Sequence, residues 1–533
     1  MEHTDSDGQK KKKKLVDVFK TVGLPPYTYV KPSHYGEVRA DIEQPGKHVL
    51  IEGPSGIGKT CVVYKVFEEF GWQKDVNYTY VTCREAEAYE TLEKFLTAAR
   101  TDKPTKTPVL VVDDFHFIPA IQRTNIGGWL KQVSDKTFTM TSPPKVILIG
   151  IPSAGTSLLS EAYDLGPRLG AYRLQRATDN EIRRLISEGE TALNVLFEDD
   201  GVLLSEIEGN FWLGQYICNK VCASAGVFET CDDTHILSFD LLTIRKRLMA
   251  ELSPRYMPIA ITFSKGKRWR PGGNKPYLEV LLSLSKIPDS VITFDKILNI
   301  VPERRKPGIK AVKQRITEVI CDSSKGVDLR KQLAFDSDCF SMEDPLFRYF
   351  LTYLEPNELY RNLGIEPESV ESSKVYSYDV GFSFAGETRQ IVELVNQAIK
   401  DEDVVTFYDY DQQAFLLALD LEETLERIYS TACRYYLVFL DKHYAKKVWT
   451  RFEREIMTRP GRSNHIIPVV LDEEGASGII ELPKTIGRID LRDAWKAICE
   501  KGHPDQDALF AIRNRCVLPL LQKIDTADIH AAL

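Results

Sequence analysis

Short, fully apolar runs bounded by turns recur along the chain and alternate with segments of helical period. His48–Glu52 (HVLIE) leads into a glycine-rich turn, and Thr60 to about Phe70 follows with helical spacing. Val109–Val112 and Val146–Ile149 repeat the apolar run. A strand with one wet face alternates apolar and polar residues, whereas one apolar throughout is covered on both faces. These runs therefore predict a parallel sheet between helices. From Thr178 to Leu252 the period is helical, with Thr178-Asp179-Asn180-Glu181 as N-cap and early acid before Ile182, Leu185 and Ile186. Lys265–Lys275 (KGKRWRPGGNK) reads as a basic loop. Helices are predicted around Leu278–Leu284, Phe294–Ile300 and Ile309–Ile320, then a strand pair near Leu333–Met342. That order is compatible with a winged helix. Glu366–Lys374 (EPESVESSK) is polar and aperiodic, as a linker is. From Tyr376 strand and helix alternate again, and no solenoid-type repeat is visible.

Composition changes this picture little. A chain of 533 residues is too long for one core. The net charge of −8 argues against nucleic-acid binding by bulk charge and leaves room only for a local basic face. No apolar run reaches the ~18–20 residues that cross a bilayer, and Met1–Leu15 is polar, then lysine-rich, unlike a secretory signal. The ten cysteines contain no Cys-x-x-Cys pair, so no zinc site is expected and a reducing cytoplasm fits. Cys218 and Cys222, one helical turn apart, read as small apolar residues on a buried face.

Candidate chemistry begins at Gly53-Pro54-Ser55-Gly56-Ile57-Gly58-Lys59-Thr60, which satisfies G-x-x-x-x-G-K-[ST]. Glycines let backbone N–H groups converge on an anion, and the helix that follows aims its positive end at the same point. Lys59 is expected on the β/γ-phosphates of ATP, and the Thr60 hydroxyl on Mg²⁺. Asp113 and Asp114 follow the strand Val109–Val112, Asp113 placed to hold Mg²⁺ and Asp114 to orient water. With aspartate where glutamate is commoner, slow hydrolysis or binding alone both remain open. These residues resemble the AAA-like and STAND P-loop ATPases. The resemblance makes Ser153 a candidate polar sensor and Arg168 a candidate arginine finger toward a neighbouring subunit. Gly209-Asn210-Phe211 resembles the Gly-x-Pro element of a STAND lid with Phe211 in place of proline. Phe340-Ser341-Met342-Glu343-Asp344-Pro345 resembles the strand and Asp-Pro element closing the winged helix. Arg304, Arg305, Lys306, Lys310, Lys313 and Arg315 give that module a basic helix, a lesser candidate for DNA contact.

Tyr378–Glu387 (YDVGFSFAGE) resembles the opening strand and turn of TIR domains, and Val404–Asp409 (VVTFYD) resembles their second strand. Tyr435–Leu440 (YYLVFL), His443–Glu453 (HYAKKVWTRFE) and Ile466–Val469 (IIPV) continue the likeness in order, over about Tyr376–Leu521. Trp449 and Glu453 lie four apart, on one helix face. The resemblance implies that Glu453 is catalytic in cleaving NAD⁺, with Phe384, Trp449, Asp409 and Arg389 about the substrate. Breaking the nicotinamide–ribose bond builds positive charge on the sugar, and nicotinamide leaves as a neutral base. One well-placed carboxylate therefore suffices.

The expected fold class is a multidomain α/β protein: a P-loop ATPase parallel sheet, a helical lid, a winged helix and a flavodoxin-like TIR domain. The expected boundaries are a basic tail (1–15), the P-loop NTPase domain (16–177), the lid (178–252), the winged helix (253–355), a linker (356–375), the TIR domain (376–525) and a tail (526–533). The function expected is that of a cytoplasmic bacterial immune effector. ATP-gated self-association, as a homo-oligomer or filament, would activate NAD⁺ hydrolysis on a phage-derived trigger, with no membrane involved. The alternatives are a non-enzymatic TIR scaffold and a DNA-associated ATPase.

Overall fold

The computed structural model describes residues 12–85, 87–118, 120–136, 143–150, 163–270, 274–289, 291–336, 338–365, 376–408, 426, 428–447, 465–476 and 487–531. The chain divides into two compact units. The first comprises Met1–Tyr256, Pro288–Thr293 and Arg330–Tyr353; the second comprises Met257–Ile287, Phe294–Leu329 and Leu354–Leu533.

In the first unit, β1 (His48–Glu52), β2 (Tyr78–Thr82), β3 (Val109–Asp113), β4 (Lys145–Gly150) and β5 (Leu169–Arg173) form one sheet ordered β2-β3-β4-β1-β5, every pair parallel. Successive residues point to opposite faces, and both faces are dry. Val49, Ile51, Val111 and Ile147 pack with Val62, Val66 and Phe67 of the helix Lys59–Phe70. Leu50, Leu110, Val112 and Leu148 pack with Leu92, Leu96, Ile126 and Leu130 on the other side. Helix-flanked parallel strands are thus what the apolar runs encoded. β3 and β1 both end at the same edge, where the strand carboxyl ends open a crevice.

The region expected to be purely helical, 178–252, also holds β6 (Val195–Phe197) and β7 (His235–Leu237), a parallel pair. Runs this short show no period, so the sequence could not announce them. The helix Leu241–Lys265 continues past residue 252 through Pro254 and Pro258. Each proline removes a backbone hydrogen bond, at a cost of about 3 kcal/mol. Complete burial of Tyr256, Ala260 and Phe263 on one helix face offsets it. The unit is completed by β8 (Val291–Thr293), β9 (Leu333–Asp336) and β10 (Cys339–Met342), an antiparallel sheet ordered β8-β10-β9, followed by the helix Pro345–Tyr353. The β9–β10 pair matches expectation; β8 is additional.

In the second unit, β11 (Tyr378–Ser383), β12 (Thr406–Phe407), β13 (Cys433–Leu440), β14 (Ile466–Val470) and β15 (Ile489–Asp490) form a parallel sheet ordered β12-β11-β13-β14-β15. Val380, Phe382, Leu437 and Phe439 pack with Ile391, Val395 and Ile399 of the helix Arg389–Lys400. The single helix expected over Ile309–Ile320 is broken into Lys306–Val312 and Ile316–Cys321 by a turn at Lys313–Arg315. The break turns Arg315 inward, where its Nε sits 3.1 Å from Asp403 and its guanidinium also donates to Lys400 O. Arg268 joins Glu402 and Asp525, each at 3.0 Å. Asn274 Nδ2 donates to Asp379 at 3.2 Å. The basic loop and basic helix are therefore partly engaged inside their own unit. Arg305 pairs with Glu279, Lys306 with Glu303, and Lys313 lies 5.0 Å over the Phe294 ring.

Candidate functional site

The loop Gly53–Thr60 connects β1 to the helix Lys59–Phe70 and is bent as its glycines permit. Gly56 has φ +78° and Gly58 φ +90°, left-handed conformations that side chains disfavour. A Cβ on Gly56 would lie 2.6 Å from Asn210 Oδ1, and one on Gly53 2.6 Å from Leu174 O. Lys59 Nζ donates to Gly53 O (2.8 Å) and Pro54 O (2.7 Å), folding back over the loop it serves. Burial lowers the Lys59 pKa, and the carboxylates of Glu343, Asp113 and Asp114 oppose that shift.

Asp113, at the end of β3, accepts from Thr60 Oγ1 (2.9 Å) and Tyr80 OH (2.8 Å). A hydroxyl beside a carboxylate offers the hard oxygen donors that suit Mg²⁺, so the pair fits the ion. Asp114 is held away from it by Thr82 Oγ1 (2.9 Å) and Arg84 Nε (2.7 Å). Ligand atoms of Asp114, His116 and Glu343 all lie within 4.8 Å of one another.

A cavity of about 260 Å³ contains Ser55, Gly56, Gly58, Lys59, Thr60, Asp113 and Asp114 in its wall. Residues of the two motifs thus share one cavity wall, although Gly53 contributes through its carbonyl to Lys59 rather than as wall. The cavity wall also contains residues the motifs did not signal: Thr28, Tyr29, Val30, Pro32, Trp212 and Gln215. Gln215 Nε2 donates to Thr28 Oγ1 (2.7 Å), and Trp212 Nε1 to Thr21 O (2.7 Å), binding the N-terminal segment to the helix Phe211–Ser224. Asn210 caps that helix through Leu213 N (2.9 Å) and donates to Ser55 O (3.1 Å). The Gly209-Asn210-Phe211 element thus reaches the phosphate loop through its asparagine. Arg168, the finger candidate, instead pairs with Asp135 at 2.7 Å and stands outside the cavity wall. Ser153 lies outside the described residues.

In the second unit, β11 has β12 on one side and β13 on the other, so its carboxyl end lies at a topological switch point, where α/β sheets place ligands. Phe384 stacks on Tyr408 with ring centroids 5.7 Å apart and planes at 25°. Arg389 lies 5.2 Å over Phe384 and donates to Tyr408 OH at 3.2 Å. Burial pushes the Tyr408 phenol up to about 12 against the pull of Arg389. Phe384 and Arg389 are therefore together, joined by Tyr408, which directly precedes Asp409 and carries no sequence signal of its own. Ser383 Oγ and Tyr444 OH share a 2.7 Å hydrogen bond behind them. Asp409, Trp449 and Glu453 lie outside the described residues.

Comparison with known proteins follows this geometry. Residues 49–161 match the model of the ATPase family associated with various cellular activities (AAA), and residues 380–502 match the TIR domain model. The chain is 38% identical over 124 residues to the 3′ cyclic ADP-D-ribose synthase AaTIR of Aquimarina amphilecti, which covers 23% of this chain and 37% of that protein. The chain thus spans little more than a third of that relative. Among solved structures, Cdc6p of Pyrobaculum aerophilum aligns at 14% identity over 65% of this chain and 98% of its own, with a TM-score of 0.33. The RuvB Holliday junction branch migration motor of Thermotoga maritima aligns at 13% identity over 64% and 99%, with a TM-score of 0.32. One chain therefore joins an AAA-type P-loop ATPase region to a separate TIR domain.

Proposed function

We propose that the chain is a TIR enzyme that cleaves the nicotinamide–ribose bond of NAD⁺ under control of a nucleotide-binding P-loop module. The observation that carries it is the likeness of the TIR region to a named cyclic ADP-ribose synthase, in a region whose Phe384, Tyr408 and Arg389 gather at the switch point of the sheet. In this reading Glu453, one turn beyond Trp449, faces the ribose and stabilises its positive charge as the neutral base departs. Phe384 and Trp449 hold a ring by stacking, and Asp409 and Arg389 border the pocket. Mg²⁺ on Thr60 and Asp113 would neutralise phosphate charge in the other unit.

The finer architecture belongs to the same proposal: a winged helix around β8–β10, a flavodoxin-like TIR sheet, and the domain limits set out above. So does the biology. ATP binding drives self-association of a STAND-like bacterial antiphage effector, Arg168 leaves Asp135 for a neighbour's nucleotide, and assembled TIR domains deplete NAD⁺. Positioning substrate between copies is worth many powers of ten in rate. A second reading of the product is favoured by the relative's name: the freed ribose carbon is captured within the same molecule, giving a cyclic ADP-ribose in place of hydrolysis.

Mass spectrometry of NAD⁺ incubated with purified chain and MgATP tests the proposal. Nicotinamide with ADP-ribose or a cyclic isomer is expected, and neither from Glu453→Ala. Equal nicotinamide release from Glu453→Ala would remove Glu453 from the chemistry. No release under any nucleotide would leave the scaffold reading in its place.

A further inference from the structure

We propose that Glu343 is the residue by which the P-loop site favours a nucleoside diphosphate over a triphosphate. The inference rests on the reading that the cavity beside Lys59 takes an adenine nucleotide.

Glu343 directly follows β10, far in sequence from the phosphate loop, yet its side chain is 3% exposed and forms part of the same cavity wall as Lys59, Asp113 and Asp114. Its backbone is fixed by a hydrogen bond from its N–H to Gln332 O at 2.8 Å. Its carboxylate accepts from Ser341 Oγ at 2.8 Å, lies 3.1 Å from His116 Nε2 and stands 3.7 Å from Arg84. With Asp113 and Asp114 it opposes the lowering of the Lys59 pKa by burial. The acid therefore shares a cavity wall with Lys59, and its carboxylate lies with Asp114 and His116 in a cluster whose ligand atoms all fall within 4.8 Å of one another.

Charge decides the consequence. The phosphate end already holds three carboxylates, Asp113, Asp114 and Glu343, against Lys59, Arg84 and the His116 ring, and Arg84 is spent on Asp114 at 2.7 Å. A diphosphate needs the loop amides, Lys59 and the helix N-terminus. A third phosphate adds an anion beside a buried carboxylate, where like charges are screened less than at the surface. For that phosphate to settle, Glu343 must withdraw and Arg84 must turn from Asp114 to the newcomer. His116 marks how tight the arrangement is. Its side chain is 4% exposed, and its Nε2 lies 3.1 Å from Glu343 without hydrogen-bond alignment at either ring nitrogen. Glu343 lies two residues before Pro345, whose ring closes on Gly56 of the phosphate loop. Withdrawal of the acid would loosen the strand–helix junction at 342–345 from the nucleotide site, so the identity of the nucleotide would be read by that junction.

The test is calorimetric titration of the full chain with ADP and with the non-hydrolysable analogue AMP-PNP, both with Mg²⁺. The unaltered protein is expected to bind ADP at least tenfold more tightly. Glu343→Gln keeps shape and a hydrogen bond to Ser341 but removes charge, and is expected to shrink that ratio at least tenfold. Glu343→Asp, which restores charge, is expected to recover most of it. A ratio near one in the unaltered chain overturns the proposal without any variant, and so does an unchanged ratio in a folded Glu343→Gln protein. Absence of binding by either nucleotide would instead remove the nucleotide reading of the cavity.

Discussion

Asp113 shows how much a single side chain does here. One carboxylate serves Thr60, Tyr80 and the Asp114 amide at 2.8–2.9 Å, so it fixes the loop's hydroxyl and the strand end together. Asp113→Ala is expected to lower nucleotide affinity about tenfold or more with Mg²⁺ present and much less with chelator, measured by titration under both conditions. Equal losses would mean that Asp113 supports the fold rather than the ion. His48 makes a different prediction. Its Nδ1 accepts from Val146 N–H (3.0 Å) and its Nε2 donates to Leu130 O (3.1 Å), which requires the neutral ring. Burial, foremost, brings its pKa down to about 4. The unfolded chain takes up this proton first, so stability is full above about pH 6.5 and falls as pH drops toward 4, by on the order of 3 kcal/mol. Denaturant titrations of the unaltered chain and His48→Gln across that window should show a steeper fall with histidine than with glutamine. At this scale the phosphate motif was legible because its chemistry demands particular residues at fixed spacing. Glu343, Asn210 and Tyr408 were not, since each acts through partners that only folding brings near.

Elements were legible where their period was long. The strands β1, β3, β4, β13 and β14 stand where the apolar runs lay, because only two covered faces allow such runs. Three-residue strands such as β6, β7 and β8 carry no period, and the helix through Pro254 and Pro258 follows tertiary burial against local preference. The turn at Lys313–Arg315 was hidden for the same reason: its use is to send Arg315 to Asp403. Asp403 is 3% exposed, and burial raises its pKa despite Arg315, Lys267 and Arg270. Removing the arginine alone would strand a buried charge. Arg315→Ala is expected to cost about 3 kcal/mol, and the pair Arg315→Met with Asp403→Leu distinctly less, as read by a double-mutant unfolding cycle. Equal losses for the two proteins would show that the break in the helix is set by something other than this ion pair.

In the whole molecule two sheets each gather their candidate site at strand carboxyl ends: the Gly53–Thr60 loop and Asp113 beyond β1 and β3, and the Phe384–Tyr408–Arg389 cluster beyond β11 and β12. That both lie there follows from parallel topology, since connecting segments leave a crevice at this edge. The order of motifs announced both regions, while the N-terminal segment 19–32 that closes the nucleotide cavity left no recognisable signal in the sequence. The most direct test of the central claim is the initial rate of NAD⁺ loss by the full chain, followed chromatographically, with MgATP, with MgADP and with no nucleotide. Turnover is expected to rise at least tenfold with MgATP, to stay low in Lys59→Ala under all three conditions, and to vanish in Glu453→Ala. Turnover indifferent to nucleotide and to Lys59 would contradict that claim.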